Sequence, residues 1–377
     1  MQSPKKNASA GLHPSLQPTI SFLTMNPSSG KRIRVKFLSK SQASDNNYDL
    51  WLKRFPNRIP QWGACDFIFD QHCHNYDWLM VYDDLPKSGD ERFPNWTEQL
   101  PALKENSLLI TAEPSIIKNY GRSFVNQFGW ILSSQEPWAI KHPRVILSQT
   151  GYVWFYGGTG ARGSYDVLAN QSPPPKPLPI STVCSDKQMR HTLHHARFQF
   201  TRDLKTKLPA LDIFGQGVRP IDDKADALDP YQLHLAIENH VCRHHWTEKL
   251  SDPFLGHCLP LYHGCPNTTD YFPPESFIPI NIHNLDESVG RIQRALRDQE
   301  YATRLPAILE ARRLILNEYA LFPLVARLIE QRHQIRGDQP LSPHSIFSRR
   351  AVRRKPPVSA IRDAIDKTIL RLRHRFS

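Results

Sequence analysis

The run Tyr231–Gly264, YQLHLAIENHVCRHHWTEKLSDPFLGHCLPLYHG, constrains the chain more than any other. A strand-like apolar stretch gives way to a polar loop, a short helical turn, a glycine stop at Gly256, a second apolar run Cys258–Tyr262, and another glycine turn at Gly264. Strand, loop, helix, strand in that order requires a parallel sheet, because only a crossover returns the chain to the end where the first strand began. In such sheets ligands bind at the loops after the strands' carboxyl ends, where a following helix offers free backbone N–H groups to an anion. The loop carries an acid, an amide, three histidines and a cysteine before Thr247, which is placed as an N-cap with Glu248 and Lys249 in the first turn. A lysine there opposes the helix dipole, so it points to a phosphate as counter-charge; the pair also reads as a solvated helix start.

The same grammar recurs on both sides. KRIRVKFLS (31–39), CDFIFD (65–70), DWLMVYDDLP (77–86), NSLLITAEPS (106–115) and WILSSQE (130–136) read as strands ending in polar turns. SPPPKPLP (172–179) can be neither helix nor central strand and marks a boundary. Beyond it come a helix-like MRHTLHHARFQFTRDLKTKL, a strand and turn in ALDIFG, the run above, a strand in FIPINI and a helical region over about 285–333. A chain of 377 residues suits two domains of ordinary size. The expected organisation is a disordered leader 1–30, an α/β domain 31–171, a linker 172–179, a second α/β domain 180–335 and a basic extension 336–377.

Charge and cysteine usage narrow the partners. Much of the net charge of +12 sits toward the carboxyl end, where RRAVRRK and RLRHR lack interleaved aromatics, so a nucleic-acid platform has no support. No apolar run is long enough to span a bilayer and no signal-peptide core is present. Six scattered cysteines without a CxxC pair read as free thiols in a reducing cytoplasm. Over Val358–Phe376, Ile361, Ile365, Ile369, Leu372 and Phe376 share one helical face, with Arg362, Arg371, Arg373 and Arg375 around it. That helix either lies on an anionic membrane, making the protein peripheral on the inner face, or docks on the protein's own body.

The stretch from Tyr231 through ESFIPI closely resembles the donor-binding block of glycosyltransferase family 10, the α-1,3/1,4-fucosyltransferases. The likeness extends upstream through HHARFQFTRDLKTKLPALDIFGQG and faintly to LLITAEP. It implies a GT-B fold, two Rossmann-like domains facing across a cleft, and inverting transfer of L-fucose from GDP-fucose to a glycan or glycolipid hydroxyl, with no obligatory metal or other cofactor. Carried over by position, Glu248 and Lys249 contact the nucleotide ribose and phosphates, Glu238 and Asn239 match the family's Glu-Asn, Arg197 grips the diphosphate, and Glu113 is the general base. The sequence departs at His245, where the family has a tyrosine, leaving an imidazole that is either charged or neutral. It departs also at Gln232, at His263, and at Pro253, which is expected to kink or restart the helix. GDP-mannose would use the same nucleotide contacts.

Each residue has a plainer reading. Glu113 before Pro114 could be a helix N-terminal acid, with Asp83 and Asp84 the next candidates for the base. Arg197 could be solvated on an amphipathic helix. His240, Cys242, His244 and His245, with Cys258, His263 and Cys265 following, invite a zinc reading, but the second well-spaced pair is missing, so no metal is expected. The rival from another class is a non-catalytic basic protein that binds anionic membranes.

Overall fold

The computed structural model describes residues 31–41, 48–87, 92–158, 160–186, 192–333, 343–354 and 357–376; the expected leader 1–30 lies outside them. The first layer holds β1 (Ile33–Ser39), β2 (Gln61–Trp62), β3 (Cys65–Ile68), β4 (Trp78–Tyr82), β6 (Ser107–Ile110), β7 (Trp130–Ser133) and β8 (Val145–Leu147), in the order β2-β3-β1-β4-β6-β7-β8. All pair in parallel except β2 with β3. β5 (Thr97–Gln99) stands apart and pairs only with the late strand β14 (Ser345–Phe347). β1 is buried along nearly its whole length, as expected of a strand covered on both faces, and its Lys36 is neutralised by Glu98 at 2.7 Å.

The second layer is a parallel sheet of β9 (Leu178–Val183), β10 (Leu211–Phe214), β11 (Tyr231–Ile237), β12 (Leu259–His263) and β13 (Ile278–Pro279), in the order β10-β9-β11-β12-β13. Its crossover helices are His194–Lys207 and Glu248–Leu255, with Leu285–Arg297 and Glu300–Leu314 after the last strand. Two parallel sheets with their carboxyl ends sharing one cleft make the GT-B arrangement. β9 escaped the sequence reading: Leu178 and Pro179, the end of the expected linker, already belong to it. Proline at a strand's first residues costs little ladder bonding.

The chain then returns to the first layer. In the helix Leu321–Glu330, Phe322 is buried among Phe37, Phe55 and Phe67, its ring 4.2 Å from that of Phe55. Burial of such a side chain is worth about 1.5–3 kcal/mol, so the long helical region joins both layers and does not belong to the second alone.

The helix Glu248–Leu255 runs through Pro253 without a break, contrary to the expected kink. Proline withholds only the N–H that would have met the Lys249 carbonyl, and the turn beyond it is closed by the Cys258 N–H on the Pro253 carbonyl at 2.8 Å. Gly256 ends the helix for want of room: a Cβ there would stand 2.8 Å from that of Leu228 and 3.1 Å from the Tyr156 ring.

The tail forms a helix, Pro357–Phe376, that docks on the protein's own body and leaves part of its apolar row uncovered. Leu370 is buried, His374 meets Ser115 at 2.8 Å, and Arg373 lies over the Trp138 ring. Ile365, Ile369 and Leu372 of the apolar row remain 55%, 45% and 50% exposed. The side chains of Ile361, Arg362, Arg371, Arg375 and Phe376 lie outside the described ones.

Candidate active site

A cavity of about 700 Å³ opens where the carboxyl ends of the two sheets meet. The first layer supplies Ser39 at the end of β1 and Lys40 after it, Tyr82 at the end of β4 and Asp83 after it, and Glu113 after β6. The second supplies Glu238, Asn239, His245, Thr247, Glu248 and Lys249 after β11, and His194 at the start of its helix. Strand ends carry these residues because every strand around the cavity points the same way.

Thr247 is the N-cap, its hydroxyl accepting from the Lys249 N–H at 3.3 Å. Glu238, fully buried, fixes that cap: its two oxygens accept the Thr247 N–H and hydroxyl, each at 2.8 Å. Burial raises the Glu238 pKa, against the pull of Lys249. Gly264 makes room for this acid, since a Cβ there would stand 2.4 Å from the Glu238 Cγ. Glu238 is thus turned toward the cap it braces. The Asn239 side-chain oxygen at the cavity wall has no partner among the described residues.

The Lys249 ammonium lies 2.8 Å from Glu248 and 3.9 Å from Glu238. Burial pushes the Glu248 carboxyl up, but Lys249 and Lys224 outweigh it and hold it at about 2. Burial likewise lowers the Lys249 pKa, yet the two acids raise it more, with Arg197 opposing them. Arg197 sits in the first turn of its helix, 7% exposed, and its Nε has no partner among the described residues. The solvated reading of Arg197 is therefore wrong. Lys249 lines the cavity beside a helix amino terminus, and Arg197, buried behind the lining with an unsatisfied donor, lies close enough to act on its charge.

His245 is 3% exposed, with Nδ1 3.2 Å from the Ser134 hydroxyl and 3.1 Å from that of Tyr152. Burial, then His240 and Lys249, push its pKa down to about 3, so the imidazole is neutral. His244 turns away to Tyr271 at 2.6 Å, and Cys265 to Asn267 at 3.2 Å, so neither shares a metal with His245.

Glu113 is half-buried at the cavity wall. Burial raises its pKa and the Asp83 charge adds to this, with Lys40 and Lys118 opposing. No helix follows Pro114, only a turn closed by the Ile117 N–H on the Pro114 carbonyl at 3.0 Å, so the capping-acid reading fails. Asp83 is bound by Lys118 at 2.6 Å, by Lys40, and by the Tyr120 hydroxyl at 2.5 Å. Asp84 accepts the Leu85 and Arg349 N–H groups. Sequence reasoning missed Lys40 and Tyr82, which the strand-end rule applied to β1 and β4 would have found, and Tyr152, which lies in the long connection between layers where no pattern marks it.

Comparison with known proteins places the second layer. Residues 176–302 match the family model described as glycosyltransferase family 10 (fucosyltransferase) C-term. The α-(1,3)-fucosyltransferase FucT of Helicobacter pylori is 33% identical over 76 residues, a stretch that covers 19% of this chain and spans only 16% of that protein. A crystal structure of an α1,3-fucosyltransferase aligns at 15% identity with TM-score 0.48, covering 85% of this chain and 96% of that one. Another with GDP-fucose gives 17% and 0.44, covering 80% and 96%. TarM gives 7% and 0.40, covering 68% and 55%.

Proposed function

We propose that this chain is an inverting glycosyltransferase that moves L-fucose from GDP-fucose to a hydroxyl of a glycan acceptor. The observation that carries the reading is Lys249 at a helix amino terminus lining the cleft, with the buried, unsatisfied Arg197 close behind it and Glu113 on the opposite wall. The name and family of the matched segment supply the sugar.

The acceptor oxygen attacks the anomeric carbon from the face opposite GDP. The bond from that carbon to the β-phosphate oxygen breaks, its electron pair leaves with the diphosphate, and the acceptor's proton passes to the Glu113 carboxylate. A base whose pKa is raised toward neutrality accepts that proton with more driving force. Arg197, Lys249 and the helix dipole meet the charge gathering on the diphosphate, and that charge requires no metal. The neutral His245 takes the place of the family's phenol and offers a nitrogen in place of a hydroxyl. Nothing in these nucleotide contacts separates fucose from mannose, so a panel of nucleotide sugars is the test. Turnover with GDP-fucose supports the reading, GDP-mannose alone shifts the sugar, and a UDP sugar alone refutes it. The non-catalytic alternative requires that millimolar GDP leave the melting temperature unmoved.

The exposed Ile365, Ile369 and Leu372 beside Arg373 suit an anionic bilayer surface. No helix among the described residues is long and apolar enough to cross a membrane. A cytoplasmic-face enzyme acting on a lipid-linked surface glycan fits both features.

A further inference from the structure

Beside the cleft, but outside its lining, three ligand-bearing side chains converge from different layers. Glu136 lies three residues past β7 of the first sheet, and His240 and Cys242 lie three and five past β11 of the second. Their ligand atoms all fall within 4.8 Å of one another, and His240 Nε2 is 2.8 Å from a Glu136 oxygen. We propose that Glu136, His240 and Cys242 bind a borderline divalent cation, Zn²⁺ by its donor set, which clamps the two layers together at the edge of the cleft.

The donor chemistry selects the ion. One thiolate, one imidazole and one carboxylate are the ligands Zn²⁺ takes in tetrahedral sites, whereas Mg²⁺ and Ca²⁺ take oxygen alone. Neighbouring ligands around a tetrahedral Zn²⁺ stand about 3.5 Å apart, so the side chains need open by only about 1 Å to admit it. All three are half-buried, which leaves a path for the ion. The surroundings already orient the ligands. Ser115 donates to the other Glu136 oxygen and in turn meets His374 Nε2 at 2.8 Å, while the Cys242 thiol points to the Ser134 carbonyl at 3.6 Å. Loading releases the Cys242 thiol proton and leaves His240 ligating through Nε2 with its remaining proton on Nδ1. No redox step is involved.

The sequence argued against zinc because the loop lacks a second ligand pair. The missing ligand comes from about a hundred residues upstream, across the domain boundary, where no spacing rule reaches. The site is separate from the diphosphate cations, so an ion here fixes how far the cleft opens and takes no part in the transfer.

The test uses the full chain stripped with a chelator and titrated with Zn²⁺ by calorimetry, and with Co²⁺ as a spectroscopic substitute. The expected result is saturable one-to-one binding, a thiolate-to-cobalt charge-transfer band, and a higher melting temperature on loading. Cys242→Ser should abolish the band, and Glu136→Gln should weaken Zn²⁺ by about 10–100-fold or more, with unchanged far-ultraviolet circular dichroism in both. Absence of one-to-one binding, a cobalt spectrum without the thiolate band, or undiminished Zn²⁺ affinity in Cys242→Ser would each overturn the proposal; the last would mean adventitious histidine binding.

Discussion

Replacing Glu113 by glutamine keeps size and polarity but removes the group proposed to accept the acceptor's proton. General-base assistance is worth about 10²–10⁴ in rate, so kcat should fall by that factor. On the proposed reading the nucleotide is gripped from the second layer, by Arg197 and Lys249, so GDP affinity measured by calorimetry should stay within about twofold, the scatter of contacts worth under 0.5 kcal/mol. The pH profile sharpens the test. Burial and the neighbouring Asp83 raise the Glu113 pKa, so wild-type turnover should fail as pH drops through that raised value, where the carboxylate protonates. Glu113→Gln should show no such acidic limb. Asp83→Asn provides a check on the cause: it removes the charge that raises Glu113 and frees Lys40 and Lys118, which lower it, so the limb should move to lower pH. An unchanged kcat in Glu113→Gln with weakened GDP would refute the base assignment and make Glu113 a donor-side residue.

Lys249→Ala and Arg197→Ala should each cut transfer at least tenfold with the fold intact, since a charge-assisted contact is worth about 1.5–3 kcal/mol; near-normal rates in both would remove the diphosphate site. Gly264→Ala forces a Cβ against Glu238 and Tyr262, so stability should drop by about 1–3 kcal/mol in urea denaturation, with weaker GDP binding as the Thr247 cap shifts. Deleting 357–377, or adding salt to the intact chain, should reduce sedimentation with anionic liposomes, because screening weakens the arginine attraction. His234, His245 and His257 are held by burial at about 3 against an unfolded value near 6.5, so the unfolded chain binds more protons below that pH. Melting temperature should therefore fall steadily as pH drops from about 6.5 toward 3, and a flat profile would show that these imidazoles are not neutral in the fold.

Legibility in the sequence followed burial. β1, β4, β6, β11 and β12 are apolar along most of their length because both faces are covered, and that continuous run is what the eye finds. β9 is as central as any of them, yet it reads LPISTV, with Ser181 and Thr182 buried through bonds to Ala227, His234 and Leu235. Polar residues that satisfy themselves on neighbouring strands look like loop until the neighbours are known. β8 has the opposite trouble, being a partly exposed edge strand of three residues.

The site divides along the same line. The Thr247 cap and its first turn are local, so composition and spacing expose them; a threonine before Glu-Lys at a strand end means the same thing in any parallel sheet. Function in a cleft is not local. The Glu113 pKa is raised by burial in the cleft and by Asp83, thirty residues away after another strand, and His245 is kept neutral by a wall that includes Tyr152 from the connection between layers. Glu136 reaches His240 across the boundary that the proline run marks. Each of these contacts depends on where the second sheet's carboxyl ends sit against the first. The return helix Leu321–Glu330, with Phe322 packed among first-layer aromatics, ties the chain leaving the second sheet to the first. A cavity at that aromatic cluster should thus be felt in the active site. Phe322→Ala should cost about 3–5 kcal/mol of stability. If the helix sets the cleft, the same variant, assayed well below its melting temperature, should also lose GDP affinity through the altered spacing of Lys249 from the first wall. Full retention of GDP affinity and turnover in a folded Phe322→Ala protein would show that the two layers hold their cleft without it.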